Sequence, residues 1–155
     1  MKNIQKSARG AFTLIEILVV IGIIAVLASV VLVAINPGRQ FKLARDSQRV
    51  SNINALLNSI NQNIAEHKGV FTCDLTPLDL PSASTTVKSA SGGIDLAPCL
   101  VSAYLSVLPF DPSASGAHYN SKDDYDTGYK VSIDSDGRVT VTADGEITPS
   151  ISATR

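Results

Sequence analysis

The chain has 155 residues, of which 45% are hydrophobic and 17% are charged, and its formal net charge is −1. This length leaves room for one globular domain beside a membrane segment. From Asp74 onward acidic residues outnumber basic ones, which argues against nucleic acid as a partner of the C-terminal part.

The amino terminus is short and basic, with Lys2, Lys6 and Arg9, and it leads into an apolar stretch over residues 12–35 in which Glu16 is the only ionisable residue. As a helix this stretch would be about 36 Å long, enough to cross a hydrocarbon core of about 30 Å. A carboxylate in such a segment is unfavourable, by about 2.5–3.5 kcal/mol at mid-bilayer. Glu16 therefore either lies at headgroup level without a role or meets a cationic partner once the helix leaves the lipid.

The sequence RGAFTLIE at residues 9–16 closely resembles the processing signal of type IV pilins and type II secretion pseudopilins. The resemblance is strong over residues 2–35. Beyond them, only the general layout of the chain is similar. It implies an inner-membrane, single-pass precursor with a cytoplasmic amino terminus, whose leader a prepilin peptidase removes before N-methylation. An ATP-driven assembly platform would then move the subunit from the membrane into a cell-surface or periplasmic filament with other copies and related pilins.

The scissile bond follows from the family's glutamate at the fifth mature position. Counting back from Glu16 makes Phe12 the first mature residue and residues 1–11 the leader, with Ala11 where the family usually has glycine. Cleavage after Gly10 would instead make Ala11 the first residue. The sequence therefore leaves two candidates for the scissile bond. The resemblance also implies that Glu16 pairs with the amino group of Phe12 in a neighbouring subunit.

Two other interpretations of the amino terminus are possible. A secretory signal would have its apolar run at residues 17–27 and a cut after Ala28, although the apolar run continues to Val33. Alternatively, the segment is an uncleaved single-pass anchor that presents the C-terminal domain as a binding module or adhesin.

Asn36-Pro37-Gly38 interrupts the apolar stretch, and proline disfavours helix at the residue before it. We therefore predict a kink near Pro37, followed over residues 36–68 by an amphipathic helix that continues the first. Its apolar stripe comprises Val50, Ile53, Leu57, Ile60 and Ile64, and its polar face comprises Arg45, Gln48, Arg49, Asn52, Asn58, Asn61 and Gln62.

Residues 69–155 are predicted to form a C-terminal globular domain. Residues 74–93 are typical of a loop, and residues 100–108 of a short helix. Apolar alternation at residues 129–133 and 138–142, around the turn at 134–137, predicts a β-hairpin. The predicted fold class is α+β, with the long N-terminal helix packed on a small antiparallel sheet.

Cys73 and Cys99 both lie in the part placed outside the cytoplasm. A bridge between them would close a loop of about 25 residues and stabilise the fold by roughly 3 kcal/mol. The alternative is two free buried thiols.

Acidic residues are dense before and within the hairpin, namely Asp111, Asp123, Asp124, Asp126, Asp134 and Asp136. Calcium binds six to eight oxygens, and some pseudopilins that resemble this chain hold calcium in C-terminal loops. We hypothesise a calcium site on Asp123, Asp124 and Asp126. The alternative is solvated turn residues, since the glutamate of an EF-hand is missing and aspartate is common in turns.

The histidines His67 and His118 do not lie beside a serine or cysteine in a known nucleophile motif, and the cysteine spacing does not match a zinc site. The sequence therefore predicts no catalytic residues, and we expect a structural protein rather than an enzyme.

Overall fold

The computed structural model describes residues 12–155, so the leader with Gly10 and Ala11 lies outside the described residues. The chain divides into two compact units, one ending at Gln40 and the other comprising Phe41–Arg155.

Helix α1, Leu14–Ile35, has Thr13 as its N-cap and Asn36 as its C-cap, and the φ of Asn36, 49°, is left-handed. Helix α2, Pro37–Glu66, begins at the next residue. Asparagine tolerates the left-handed region better than most residues, and proline suits the first turn of a helix because its missing N–H is not needed there. The predicted interruption near Pro37 is therefore confirmed, with the break on Asn36.

Beyond Gln40, α2 belongs to the second unit. Its carboxyl end is closed by Gly69, whose φ is 92° and whose N–H donates to the Ile64 carbonyl at 2.9 Å. Glycine adopts this conformation without the steric penalty that a Cβ would bring, so it suits the position that closes a helix.

A two-stranded hairpin follows, made of β1, Thr72–Cys73, and β2, Thr76–Pro77. A disulfide joins Cys73 to Cys99 in the short helix α3, Ala97–Leu100. The predicted bridge is confirmed, and it ties the hairpin to the middle of the domain.

The main sheet has five antiparallel strands. Strands β3 and β4 both pair with one edge of β5, while β6 pairs with its other edge and β7 pairs with β6. They are β3 Thr85–Lys88, β4 His118–Ser121, β5 Asp124–Ile133, β6 Val139–Asp144 and β7 Ser150–Thr154. The predicted hairpin is confirmed as β5 and β6, with Val131 opposite Val141 and Ile133 opposite Val139.

The α+β fold is confirmed, because α2 packs on one face of this sheet. Its buried apolar residues are Ile53, Leu56, Leu57 and Ile60, and they share one core with Tyr125, Tyr129, Val131, Val139 and Val141 of the sheet. Alternate residues of β5 and β6 face this core, as the hairpin pattern predicted.

Three details differ from the sequence predictions. Strand β3 lies in the segment predicted as loop, and the helix predicted at residues 100–108 is replaced by α3, which ends at Leu100. Arg49, predicted on the polar face of α2, is only 2% exposed, whereas Val50 of the predicted stripe is 46% exposed. Arg49 can be buried because it meets the carboxylates of Asp46 and Asp111. From Ile53 to Ile60 the stripe is buried as predicted.

Candidate functional site

Helix α1 presents an apolar surface on every side. All of its residues are exposed, and large side chains such as those of Leu14 and Val33 are 83% and 84% exposed. Its 22 residues give a length of about 33 Å, close to the thickness of a hydrocarbon core. Among residues 12–155 it is the one helix that is long and apolar enough to span a membrane. A surface of this kind requires lipid or other apolar helices around it.

The polar side chains at the start and middle of α1 are satisfied within the helix itself. The Ser29 hydroxyl lies 2.8 Å from the carbonyl oxygens of Ala25 and Val26 and can donate to either. At the amino end, the carboxylate of Glu16 accepts hydrogen bonds from the backbone N–H of Thr13 at 2.7 Å and from its hydroxyl at 2.8 Å. In return, the Glu16 N–H donates to the Thr13 hydroxyl oxygen at 3.3 Å.

This reciprocal pair is a capping box, and it was not predicted, although Thr13-Leu14-Ile15-Glu16 has the required threonine and glutamate three residues apart. The carboxylate also lies at the amino end of the helix, where the macrodipole favours negative charge. Glu16 therefore has a local partner and a favourable position before any second subunit is present.

The predicted first mature residue, Phe12, is the first described residue and is 82% exposed. It precedes the N-cap Thr13, so a cut before Phe12 would leave the new amino group one residue from the capping box. Gly10 and Ala11 lie outside the described residues, and their processing role stays a prediction.

The acids proposed for calcium take part in turn and strand contacts. Asp124 accepts from Asn120 at 2.9 Å and lies 3.1 Å from the His118 ring. Asp126 accepts from the N–H of Gly128 at 2.9 Å. Hydrogen bonds from Asn120 and then His118 lower the pKa of Asp124.

Asp123 is exposed between β4 and β5, and its N–H donates to the Ser121 hydroxyl at 3.2 Å. In the β5–β6 turn, Asp134 accepts from the backbone N–H groups of Asp136 and Arg138. Among residues 12–155 no group of three or more His, Cys, Asp or Glu side chains is arranged to hold a metal ion. The calcium site stays a hypothesis.

The two histidines have local backbone contacts. His67 Nδ1 lies 2.7 Å from the carbonyl oxygen of Asn63, and His118 Nδ1 lies 2.6 Å from that of Gly116. The Gly116 carbonyl and then the Asp124 carboxylate raise the pKa of His118. These contacts hold the two rings at a helix end and at the start of β4, respectively.

Residues 6–32 match the family model described as the prokaryotic N-terminal methylation motif. This motif is the signature of type IV pilins and pseudopilins. The match includes the predicted cleavage region, Glu16 and most of α1, and it ends before the second unit begins. No curated protein and no solved structure matches the chain.

Proposed function

We propose that this chain is the precursor of a filament subunit, a pilin or pseudopilin, that acts by assembly after its leader is removed. The observation that carries the proposal is the apolar helix α1, exposed on every side, whose first turn contains Glu16 inside a matched methylation motif. A membrane accounts for this surface while the subunit is stored, and a bundle of such helices accounts for it in the filament.

In this proposal the prepilin peptidase cuts before Phe12, and the new amino group is methylated. The subunit stays in the inner membrane as a single-pass protein with its second unit on the outer side. An assembly platform and its ATPase then move it into a filament with other copies and related pilins.

Glu16 supplies the charge that assembly requires. Its carboxylate pairs with the amino group of Phe12 in a neighbouring subunit, so that two opposite charges enter an apolar bundle together. A buried charge without a partner is strongly unfavourable. The Thr13 capping box supports this proposal, since it keeps the carboxylate hydrogen-bonded until the neighbour arrives.

The experiment is an intact-mass measurement on the chain from the membrane fraction and from sheared surface filaments. We expect a mature chain that begins at Phe12 and carries one extra methyl group in both fractions. A start at Ala11 would move the scissile bond by one residue and leave the function unchanged.

A start at Met1 would contradict the proposal and favour the uncleaved membrane-anchored binding module or adhesin. A start at Ser29 would favour a secreted protein with a conventional signal. As a matched control, replacing Gly10 and Ala11 with bulky residues should leave only full-length chain in the membrane. Normal processing of that variant would contradict the proposed cleavage site.

A further inference from the structure

The second unit contains a buried arginine whose guanidinium group is fully hydrogen-bonded. Arg49 donates to both carboxylate oxygens of Asp111, at 2.7 and 2.9 Å, and to the Ser113 hydroxyl at 2.7 Å. It also donates to Asp46 at 2.7 Å and to Glu146 at 3.3 Å. These contacts use all the N–H groups of the side chain, so each of its donors is satisfied away from water.

Asp46, one turn earlier on α2, is held by a loop about 100 residues away. The backbone N–H groups of Glu146, Ile147 and Thr148 donate to its carboxylate at 2.8, 2.8 and 3.1 Å. Three successive amides that converge on one carboxylate form an anion nest. Asp46 fills this nest and is itself only 6% exposed.

Arg45 completes the cluster at its rim. Its guanidinium group donates twice to the Glu146 carboxylate, at 2.6 and 2.7 Å. The Ser113 hydroxyl donates to the same carboxylate at 2.9 Å. We call the five charged residues Arg45, Asp46, Arg49, Asp111 and Glu146 the ionic clasp.

Apolar packing contributes little to this end of α2. Before Ile53, the buried residues of the helix are Asp46 and Arg49, both members of the ionic clasp. Of the large apolar side chains of this part, Phe41 and Val50 are exposed and Leu43 is half-buried. Residues 41–49 are therefore held on the domain mainly by the ionic clasp, whereas the helix from Ile53 onward is held by the apolar core.

We propose that the ionic clasp is a conformational lock that makes residues 41–49 of α2 and the loop at residues 145–148 open and close together. The reason is mutual dependence. The loop amides lose their acceptor Asp46, and Glu146 loses its arginine partners, when the helix leaves. When the loop leaves, Asp46 loses three of its four hydrogen bonds and keeps only that from Arg49. Arg45 then loses both of its bonds to Glu146. A buried carboxylate or amide that loses its hydrogen bonds is unfavourable, so a state with one segment open is disfavoured. The sheet and the helix beyond Ile53 stay folded when the lock opens.

The lock stands independently of the proposed function, because it involves only contacts within the second unit. It does have a consequence for a chain anchored through residues 12–40. Tension carried along such a chain reaches the second unit through α2, where the ionic clasp contains the first buried contacts. Under tension, the lock would then determine whether residues 41–49 of α2 detach before the sheet unfolds.

The first test is native-state hydrogen exchange on the full chain in detergent, without any substitution. Amides of residues 41–49 and 145–148 should share one opening free energy and one dependence on denaturant concentration. Amides of β5 and β6 should open at a distinctly higher free energy. Different opening energies or denaturant slopes for the two segments would overturn the proposal.

A second test uses Asp46→Asn, with Asp79→Asn as a matched control because Asp79 is exposed and lies outside the ionic clasp. Losing the charged acceptor should raise exchange about tenfold or more in both segments together. The control should exchange like the wild type. Faster exchange in the loop alone, with exchange of residues 41–49 unchanged, would contradict the proposal.

A third measurement separates the lock from general destabilisation. In Asp46→Gly the nest is left without its carboxylate, and added formate should restore slow exchange in both segments. Formate should have no such effect on the wild type. If Asp46→Gly unfolds throughout, or if formate protects neither segment, the loop is not a preformed nest and the lock is wrong.

Discussion

Arg49 and Asp111 are 62 positions apart in the chain, yet they share two hydrogen bonds of 2.7 and 2.9 Å, and both side chains are 3% exposed. The pair joins helix α2 to the segment between α3 and β4. Its geometry is the planar, two-bonded arrangement that arginine makes with carboxylates and that lysine cannot reproduce.

Removing one member of this pair should therefore be severe. We expect Arg49→Ala to lower the free energy of unfolding by about 3–5 kcal/mol, because a buried carboxylate loses its partner. Urea unfolding of the fragment Phe41–Arg155 measures this. The matched control is Arg138→Ala, which breaks exposed ion pairs with Asp134 and Asp136 and should change stability by about 0–1 kcal/mol. Similar effects of the two substitutions would contradict the buried role of Arg49.

Acid should weaken the same contacts. The N–H of Glu146 is the main reason why the pKa of Asp46 is lowered from its usual value. Arg45 is the main reason why the pKa of Glu146 falls to about 2. Burial alone would raise the pKa of Asp111, but hydrogen bonds led by that from Arg49 outweigh burial and lower it.

A lowered pKa in the folded state means that the unfolded chain binds more protons in acid. This stabilisation is present above the unfolded pKa values of 3.8 and 4.5 and is lost as the pH falls from there toward about 2. Unfolding midpoints measured from neutral to acid pH should decline over this window. Asp46→Asn should flatten the decline, and an identical pH dependence in that variant would show that Asp46 is not responsible.

The disulfide should stabilise the domain chiefly by restricting the unfolded chain. Cys73 and Cys99 are 26 positions apart, and a loop of this size predicts a loss of about 3 kcal/mol when both are replaced by serine. Thermal unfolding of the double-serine variant, compared with the wild type with and without reductant, measures this. A double-serine variant as stable as the oxidised wild type would contradict the prediction.

The role of Glu16 in assembly can be separated from its role in the capping box. Glu16→Ala should insert and be processed normally, since the leader junction is unchanged and the span becomes more apolar. It should nevertheless fail to form filaments, because the amino group of Phe12 loses its counter-charge. Electron microscopy of sheared surface fractions and a gel of the membrane pool give the two readouts.

Glu16→Gln is the matched control, since glutamine can also accept hydrogen bonds in a capping box but carries no charge. If the charge is what matters, Glu16→Gln fails like Glu16→Ala. If capping alone matters, Glu16→Gln assembles normally. Normal filaments built from Glu16→Ala subunits would contradict any role of the carboxylate in assembly.

The calcium hypothesis predicts that calcium raises the melting temperature of the fragment Phe41–Arg155, because a ligand that binds only the folded state stabilises it. Replacing Asp123, Asp124 and Asp126 with asparagine should abolish this rise. If millimolar calcium leaves the melting temperature unchanged, the calcium hypothesis is wrong.

Local signals were sufficient for several parts of the fold. The apolar stretch, the break next to Pro37, the β5–β6 hairpin and the glycine after α2 each depend on residues that are close in sequence. Strands β3, β4 and β7 were not predicted, because they are short and rich in polar residues. Their hydrogen bonds to β5 and β6 come from distant parts of the chain.

The sequence by itself determined that this chain has a membrane-length apolar helix with one glutamate at its start, because length, hydropathy and the Phe12 to Glu16 register are properties of neighbouring residues. Only the tertiary structure decided which face of α2 is buried around Arg49. A charged residue on a helix is normally assigned to solvent, since burying it alone is unfavourable. That assignment fails when partners at positions 111 and 146 are brought to it, and their proximity depends on the folded chain.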